Sequence, residues 1–549
     1  MNFKRLFRCG LSLVFSFILL NNSSAQQARP KLAIGIVVDQ MRNDYIERYW
    51  ERFGEGGFKK LVQNGYRFYD AHYTYVPTYT APGHATVYTG TTPAVHGIVA
   101  NDWYDRLSGR QVYCAGDSTV RSVGAPPNQQ GQMSPRNMLA ATVGDELRNF
   151  FKDKSKVIGI ALKDRGAILP AGHTANAAYW FDGDSGFWIS STYYMNDLPA
   201  WLKKYNDRKL PADFLSKPWN TLYPIETYTK SLPDENPWEN PFKGKDKAVF
   251  PYDLKQLSTK NGGLNILRSS PWGNTLTADL AKQAIENEGL GADNYPDLLC
   301  VSFSSTDYVG HQFGPDAIET EDIYLRLDQD LADLLRFAEE KVGKENLVVF
   351  LTADHGGATT PSYLQSRKLN AGYLESKAMI DSAKAWLKEK YSATNWILNW
   401  NNDQIYLDEA AILAQTQQLD DVEQFLCRKL ARLPGVRTAI ASTEIRKFEC
   451  LSQPASFVQK AWYAKRSGNI HIVQDPSRME YSKKGTTHGS SYSYDTRVPV
   501  LWYGMQLNQG VSTERIAIED IAPTLSFLLG IPMPNAASGK ILPIPQQTK

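Results

Sequence analysis

Five short runs of nearly unbroken apolar residues, most of them stopping at or just before a charged side chain, constrain this chain more than any other feature. Lys31–Val38 ends at Asp39, Lys156–Leu162 at Lys163, and Asp297–Phe303 shortly before Asp307. Asn346–Thr352 ends just before Asp354, and Arg497–Tyr503 is the fifth run. A strand with one wet face alternates apolar and polar residues; a run with little alternation is covered on both faces. Helical patterns fall between the runs. Ser134-Pro135 predicts a helix start continuing through Leu147, with Ser as cap and Pro at the first position. Thr320–Lys341 carries Ile323, Leu327, Leu331, Leu334 and Leu335 on one stripe. Glu519–Leu529 predicts a helix stopped by Gly530. The alternation predicts an α/β fold, a mostly parallel sheet with helices on both faces.

Two stretches interrupt this pattern. Residues 205–255 hold seven prolines with Trp219 and Trp238, the composition of an irregular insertion that shapes an active-site entrance. Residues 365–485 carry few polar strand ends and are expected to form a cap with its own small α+β core. The expected organisation is core at 26–190, a Pro/Trp-rich insertion at 191–275, core at 276–364, the cap insertion at 365–485, and core again at 486–549. Residues 1–25 contain Lys4, Arg5, Arg8, no acid, an apolar run from Cys9 to Leu20, and Ser23-Ser24-Ala25. That is the layout of a cleaved secretory signal peptide, its apolar run too short for a membrane span of about 20 residues. The expected location is periplasmic or secreted, with no stable membrane span after cleavage. The 60 basic and 58 acidic side chains of the full chain become 57 and 58 once Lys4, Arg5 and Arg8 are removed. A near-neutral balance argues against a nucleic-acid-binding surface. Hydrophobic content of 42% with 21% charged residues excludes a disordered chain. Cys114, Cys300, Cys427 and Cys450 are too few for a disulfide scaffold. Spacing leaves open whether Cys427 and Cys450 pair after export.

The acids and histidines near strand ends carry the chemistry. Asp39, Asp307-x-x-x-His311, Asp354-His355 and His488 come from dispersed parts of the chain. In open α/β sheets, ligands bind beyond the carboxyl ends of the strands. Three Asp and three His suit two zinc-like ions, because imidazole with carboxylate favours Zn, Mn or Fe over Ca. Two metals about 3.5–4 Å apart clamp the attacking and leaving oxygens of a phosphoryl displacement. Each element alone has a plain structural reading, as a helix cap or a loop histidine; the joint occurrence in this order is the signal. Thr80 is the nucleophile candidate. It precedes Ala81-Pro82 at an expected helix start, where free N–H groups favour anionic oxygen. His72, His84, His96, His173 and His471 are expected to be structural.

This set of residues resembles the alkaline phosphatase superfamily, from Lys31 to the Asp520–Gly530 segment. Gly97-Ile-Val-Ala-Asn101-Asp-Trp and Lys163-Asp-Arg165-Gly-Ala make it most similar to the zinc-dependent, phosphate-irrepressible branch. The resemblance implies an alkaline-phosphatase-like core with inserted cap regions. It implies one Zn2+ on Asp307, His311 and His488, and a second on Asp39, Asp354 and His355 with Thr80 as the attacking ligand. Asn101 and Arg165 would bind the phosphoryl oxygens with Lys163 beside them; a guanidinium fork meets two phosphate oxygens at once. The implied activity is hydrolysis of phosphate monoesters of broad leaving-group range through a phosphothreonine, releasing inorganic phosphate. Ser302-Phe-Ser-Ser-Thr306 offers no Glu for a third, Mg2+ site, whose electrostatic place Lys163 would take. Thr80-Ala-Pro82-Gly-His84 lacks the nucleophile type and the Arg of sulfatases. Two alternatives stand: a nucleotide pyrophosphatase/phosphodiesterase of the same superfamily, which lacks the Lys-x-Arg pair, and an exported metal- or phosphate-binding protein without turnover. Oligomeric state is left open, with a monomer compatible.

Overall fold

The computed structural model describes residues 29–505 and 507–546; the expected signal peptide at 1–25 lies outside the described residues. The apolar runs build the middle of a ten-stranded sheet. Its order is Gly510–Ala517, Tyr66–His72, Arg497–Gly504, Leu347–Thr352, Leu32–Val38, Asp297–Phe303, Val157–Ala161, Ala177–Asp182, Phe187–Ser191 and Ser122–Val123. Leu32–Val38 is parallel to both neighbours, with Gly35 opposite Phe350 on one side and Cys300 on the other. Val157–Ala161 and Ala177–Asp182 continue the parallel set. Arg497–Gly504 runs antiparallel to Leu347–Thr352, a direction that an apolar pattern does not encode. Every residue of Leu32–Val38, Asp297–Phe303 and Leu347–Thr352 is buried, which requires cover on both faces. Helices flank the sheet in two groups. Thr80–Thr89, Val143–Phe150, Asp164–Ala171 and Ile521–Leu529 pack together, as do Pro271–Glu288, Ser305–Phe313 and Ile318–Val342.

The long helix and the Gly530 stop follow the expected pattern, Gly530 closing Ile521–Leu529 with φ 64°. The helix expected at Ser134-Pro135 begins instead at Val143. Ser134 Oγ donates to Asp117 Oδ2 at 2.7 Å, while Thr142 and Asp145 form a reciprocal capping box. In residues 191–275, Trp219 is fully buried and donates Nε1–H to Asp322 of Ile318–Val342 at 2.7 Å. Tyr228 Oη donates to the same carboxylate at 2.5 Å. Residues 365–485 carry a second, antiparallel sheet of Ile397–Asn401, Gln404–Leu407, Ile470–Gln474 and Val436–Ala441. It shares a separate apolar cluster with Leu387 and Leu426 of the helices Ser376–Tyr391 and Leu419–Leu430. Cys427 lies in that cluster, and Cys427 and Cys450 are both free thiols. Among the described residues, no helix is long and apolar enough to cross a membrane.

Candidate active site

Four adjacent parallel strands, Leu347–Thr352, Leu32–Val38, Asp297–Phe303 and Val157–Ala161, present their carboxyl ends along one edge. Asp354-His355, Asp39, Asp307 and Lys163 follow them in the same lateral order. Parallel pairing therefore gathers residues more than 300 positions apart in sequence. Thr80 is the first residue of the helix Thr80–Thr89, whose N-cap is Tyr79. Its backbone forms the helix entry, and its hydroxyl makes no capping bond. Gly83, one turn in, allows that helix to reach the sheet: a Cβ there would lie 2.4 Å from Asp354 O.

Lys163 Nζ is the hub. It lies 2.7 Å from Asp39 Oδ2, 2.5 Å from Asp307 Oδ2 and 3.5 Å from Thr80 Oγ1. His355 Nε2 is 3.5 Å from Thr80 Oγ1, from Asp39 Oδ1 and from Asp354 Oδ2. Asp307 Oδ1 lies 3.2 Å from His311 Nε2 and 3.7 Å from His488 Nε2. The rings of His355 and His488 stack with centroids 3.4 Å apart. Two donor triads emerge, Asp307 with His311 and His488, and Asp39 with Asp307 and His355, each with its ligand atoms within 4.8 Å. The first is the set that the resemblance implied. The second contains Asp307 where the resemblance placed Asp354, whose Oδ2 sits beside His355 and whose Oδ1 accepts the Gln40 N–H at 3.1 Å.

The donor chemistry fits metal ions. All three histidines direct Nδ1–H at a backbone carbonyl: His311 at Thr486 (2.7 Å), His355 at Gly356 (2.9 Å) and His488 at Thr78 (2.7 Å). That bond holds each ring in place and turns each Nε2 toward the carboxylates, as in metal-ligating histidines. Asp39 Oδ1 and Asp354 Oδ2 are buried without a hydrogen-bond partner. Three buried carboxylates against one ammonium leave an excess of negative charge, which is costly unless a cation offsets it. Burial pushes the Asp39 and Asp354 carboxyls up, helped by the neighbouring Asp307 and Asp39 charges respectively. At Asp307 burial also works upward, but His311 and Lys163 outweigh it and hold the group well below the usual range. Burial lowers Lys163, yet Asp307 and Asp39 reverse that and keep it a fixed cation. Burial pushes His355 down to about 3.

Asn101 and Arg165 flank this centre. Asn101 Oδ1 accepts the Ala81 N–H at 2.9 Å, one residue from Thr80. Arg165 Nη1 donates to Tyr113 Oη at 3.1 Å, and Tyr113 donates onward to Asp164. Lys163 and Arg165 line a cavity of about 240 Å3 with Arg268 and Tyr308. One contributor was missed from sequence. Gln40, at φ 61°, donates Nε2–H to Asp307 Oδ1 at 2.7 Å. His84 bridges the Thr80 carbonyl and Ser302 Oγ, both at 2.8 Å, so it is structural in the sense of holding the floor beneath Thr80. His72, His96 and His173 bond to Thr496, Thr86 and Met138 away from the centre. His471 lies on the cap strand Ile470–Gln474.

The type I phosphodiesterase / nucleotide pyrophosphatase family matches residues 33–497. The chain is 44% identical over 531 residues to the alkaline phosphatase PafA of Elizabethkingia meningoseptica, covering 96% of each. It superposes on the crystal structure of wild-type PafA with a TM-score of 0.90, over 94% of this chain and 98% of that one. It is 43% identical to a Myroides odoratus protein named calcium-transporting ATPase, over 98% of both. It is 42% identical to the alkaline phosphatase PhoV of Synechococcus elongatus, over 94% of this chain and 92% of that protein.

Proposed function

The chain belongs to the type I phosphodiesterase / nucleotide pyrophosphatase family, as a PafA-type phosphoric monoester hydrolase of the alkaline phosphatase superfamily, and we propose that it works through a covalent phosphothreonine on Thr80. The observation that carries this reading is Lys163, a buried ammonium bridging Asp39 and Asp307 and standing 3.5 Å from Thr80 Oγ1. A fixed cation at the nucleophile suits a dianionic monoester. Two zinc ions are the proposed cofactors, one on Asp307, His311 and His488, the other on Asp39, Asp354 and His355 next to Thr80. When bound, they supply Lewis acidity that lowers the pKa of a coordinated hydroxyl and neutralises phosphoryl charge.

The chain's own residues do the rest. The Thr80–Thr89 helix start holds the Thr80 hydroxyl still; Ala81 N–H is taken by Asn101 Oδ1, residue 82 is Pro and Gly83 N–H bonds Tyr79 O, so the helix contributes its positive dipole end rather than a row of free N–H donors. Thr80 Oγ1 gives its proton to solvent and bonds to phosphorus as the P–O ester bond breaks on the opposite side, and the departing oxygen takes a proton from water. Water then displaces Thr80, and inorganic phosphate is released. Asn101, Lys163 and Arg165 hold the non-bridging oxygens, where charge stabilisation acts in phosphoryl transfer. The proposed site of action is outside the cytoplasm, after removal of residues 1–25.

Quenching the zinc-loaded enzyme during turnover of an aryl phosphate and mapping the adduct by mass spectrometry tests the reading. Phosphate is expected on Thr80, and Thr80→Ala should lose the adduct and on the order of 10^6-fold in kcat. An adduct elsewhere, or native turnover by Thr80→Ala, overturns it.

A further inference from the structure

Beside His488 a cavity of about 150 Å3 opens between the cap and the core. Its core wall is Tyr79, His488 and Asp495, and its cap wall is Asn402, Asp403 and Glu480. Tyr79 packs edge-on against His488, with centroids 5.5 Å apart. The cap hairpin that carries Asp403 is fastened next to Asn101: Asn401 Nδ2 donates to Asp102 Oδ1 and Asn402 Nδ2 to Asp102 O, both at 2.7 Å. The cavity thus lies at a cap hairpin tied on one side to the Asn101–Asp102 turn and on the other bordered by His488. In-line attack from Thr80, which contacts His355 and Lys163, sends the leaving oxygen to the opposite side of phosphorus. On the two-metal reading above, in which one ion meets the attacking oxygen and the other the leaving oxygen, the set on that side would be Asp307, His311 and His488.

From this placement we infer that the cavity is the leaving-group pocket, and that its acidic wall selects phosphate monoesters whose alcohol carries an ammonium group two or three carbons from the ester oxygen. The inference rests on the phosphomonoesterase reading above. Three carboxylates line the cavity against one guanidinium, Arg478, whose Nη2 is turned to Asn370 Oδ1 at 2.8 Å. Asp495 is 1% exposed, and its Oδ1 has no hydrogen-bond partner. The Asp403 carboxylate accepts from Gln474 Nε2 through Oδ2 at 2.6 Å. Burial, with Glu480 beside it, holds the Asp403 carboxyl up at about 7, so at mildly alkaline pH it is charged. A primary ammonium brings three N–H donors to such a wall, and a methyl group of the same size brings none.

The test compares O-phosphoethanolamine with its neutral isostere, n-propyl phosphate, on the zinc-loaded full enzyme at pH about 8. Native kcat/KM is expected to favour the ammonium ester by about tenfold, a modest fraction of a partly screened ion pair. The Asp403→Asn/Glu480→Gln double variant should bring the ratio near one while leaving n-propyl phosphate turnover unchanged. A native ratio of one or below, or a ratio unmoved by the double variant, overturns the pocket assignment. If that variant misfolds, the single Asp403→Asn and Glu480→Gln variants should each lower the ratio by a smaller amount. Loss of turnover on both esters in the native enzyme would instead overturn the monoesterase reading.

Discussion

At the residue scale, the chemistry depends on where positive charge sits relative to the nucleophile. A monoester dianion gains more from Lys163 and Arg165 than a diester monoanion, which carries less charge on the same oxygens. Removing one preorganised donor from a charge-developing oxygen costs about 10^2–10^3-fold. The Lys163→Ala/Arg165→Ala variant should therefore lose about 10^3-fold or more in kcat/KM on an aryl phosphate, and much less on the matching aryl diester. Equal losses on both esters would favour the phosphodiesterase alternative. Most acids and histidines of this centre were legible because they follow apolar runs, and His488 because it sits in Gly485-Thr-Thr-His488-Gly shortly before the fifth run. Gln40 was not. Its amide reaches Asp307 Oδ1 only because Gly310 leaves room, a Cβ at that position falling 2.0 Å from Gln40 Oε1. A glutamine beside Asp39 and a glycine before His311 carry no joint signal until the two strand ends are brought together. The same holds for the partner of His84, since Ser302 lies 218 residues away.

At the element scale, Leu32–Val38, Asp297–Phe303, Leu347–Thr352 and Val157–Ala161 were legible from their unbroken apolar runs, whereas Ala177–Asp182, also parallel and buried, and the strands with mixed patterns were not. Tyr66–His72 pairs antiparallel with Arg497–Gly504 and parallel with Gly510–Ala517, and its partly exposed residues break the apolar run. Composition reads the insertion at 191–275 as shaping an active-site entrance and carries no sign of the ties it makes. Residues 236–240 tie together two segments that carry proposed ligands. Asn240 N–H donates to Gln312 O at 3.0 Å, next to His311, and Asn240 Nδ2 donates to Lys484 O at 2.9 Å, in the loop before His488. Gly485 N–H donates to Trp238 O at 2.7 Å. Asn240→Ala removes the side-chain half of this tie and should leave the two histidines less firmly held. Outer-sphere support of this kind is worth about 10–100-fold in metal affinity. Zinc release to a chromophoric chelator should accordingly run about tenfold faster in Asn240→Ala than in the native protein, read as chelator absorbance without any assay of turnover. An unchanged release rate would reduce the loop to a lining of the entrance.

At the scale of the whole molecule, the centre and the fold are coupled through charge. Asp39, Asp307 and Asp354 are 0%, 3% and 0% exposed, and among the described residues Lys163 is the one ammonium that pairs with them. They follow the carboxyl ends of three of the parallel strands that form the middle of the sheet. Unfolding would rehydrate the excess negative charge, so a chain without metal is expected to carry a standing bias toward the unfolded state. Cations that bind only the folded chain reverse that bias by mass action, by about 4 kcal/mol at a free concentration a thousandfold above Kd. Stripping the zinc with a chelator should lower the unfolding temperature by several degrees at a fixed scan rate, and zinc should restore it. The cap provides an internal comparison. Its own apolar cluster around Leu387, Ile405 and Leu426 contains no part of the centre, so chelation should destabilise the main sheet more than the cap. Hydrogen exchange resolves the two: after chelation, protection should fall in Leu32–Val38, Asp297–Phe303 and Leu347–Thr352 more than in Gln404–Leu407 and Ile470–Gln474. Equal loss in both sheets would show that the metal stabilises the molecule as one cooperative unit rather than through the strands that bear the carboxylates.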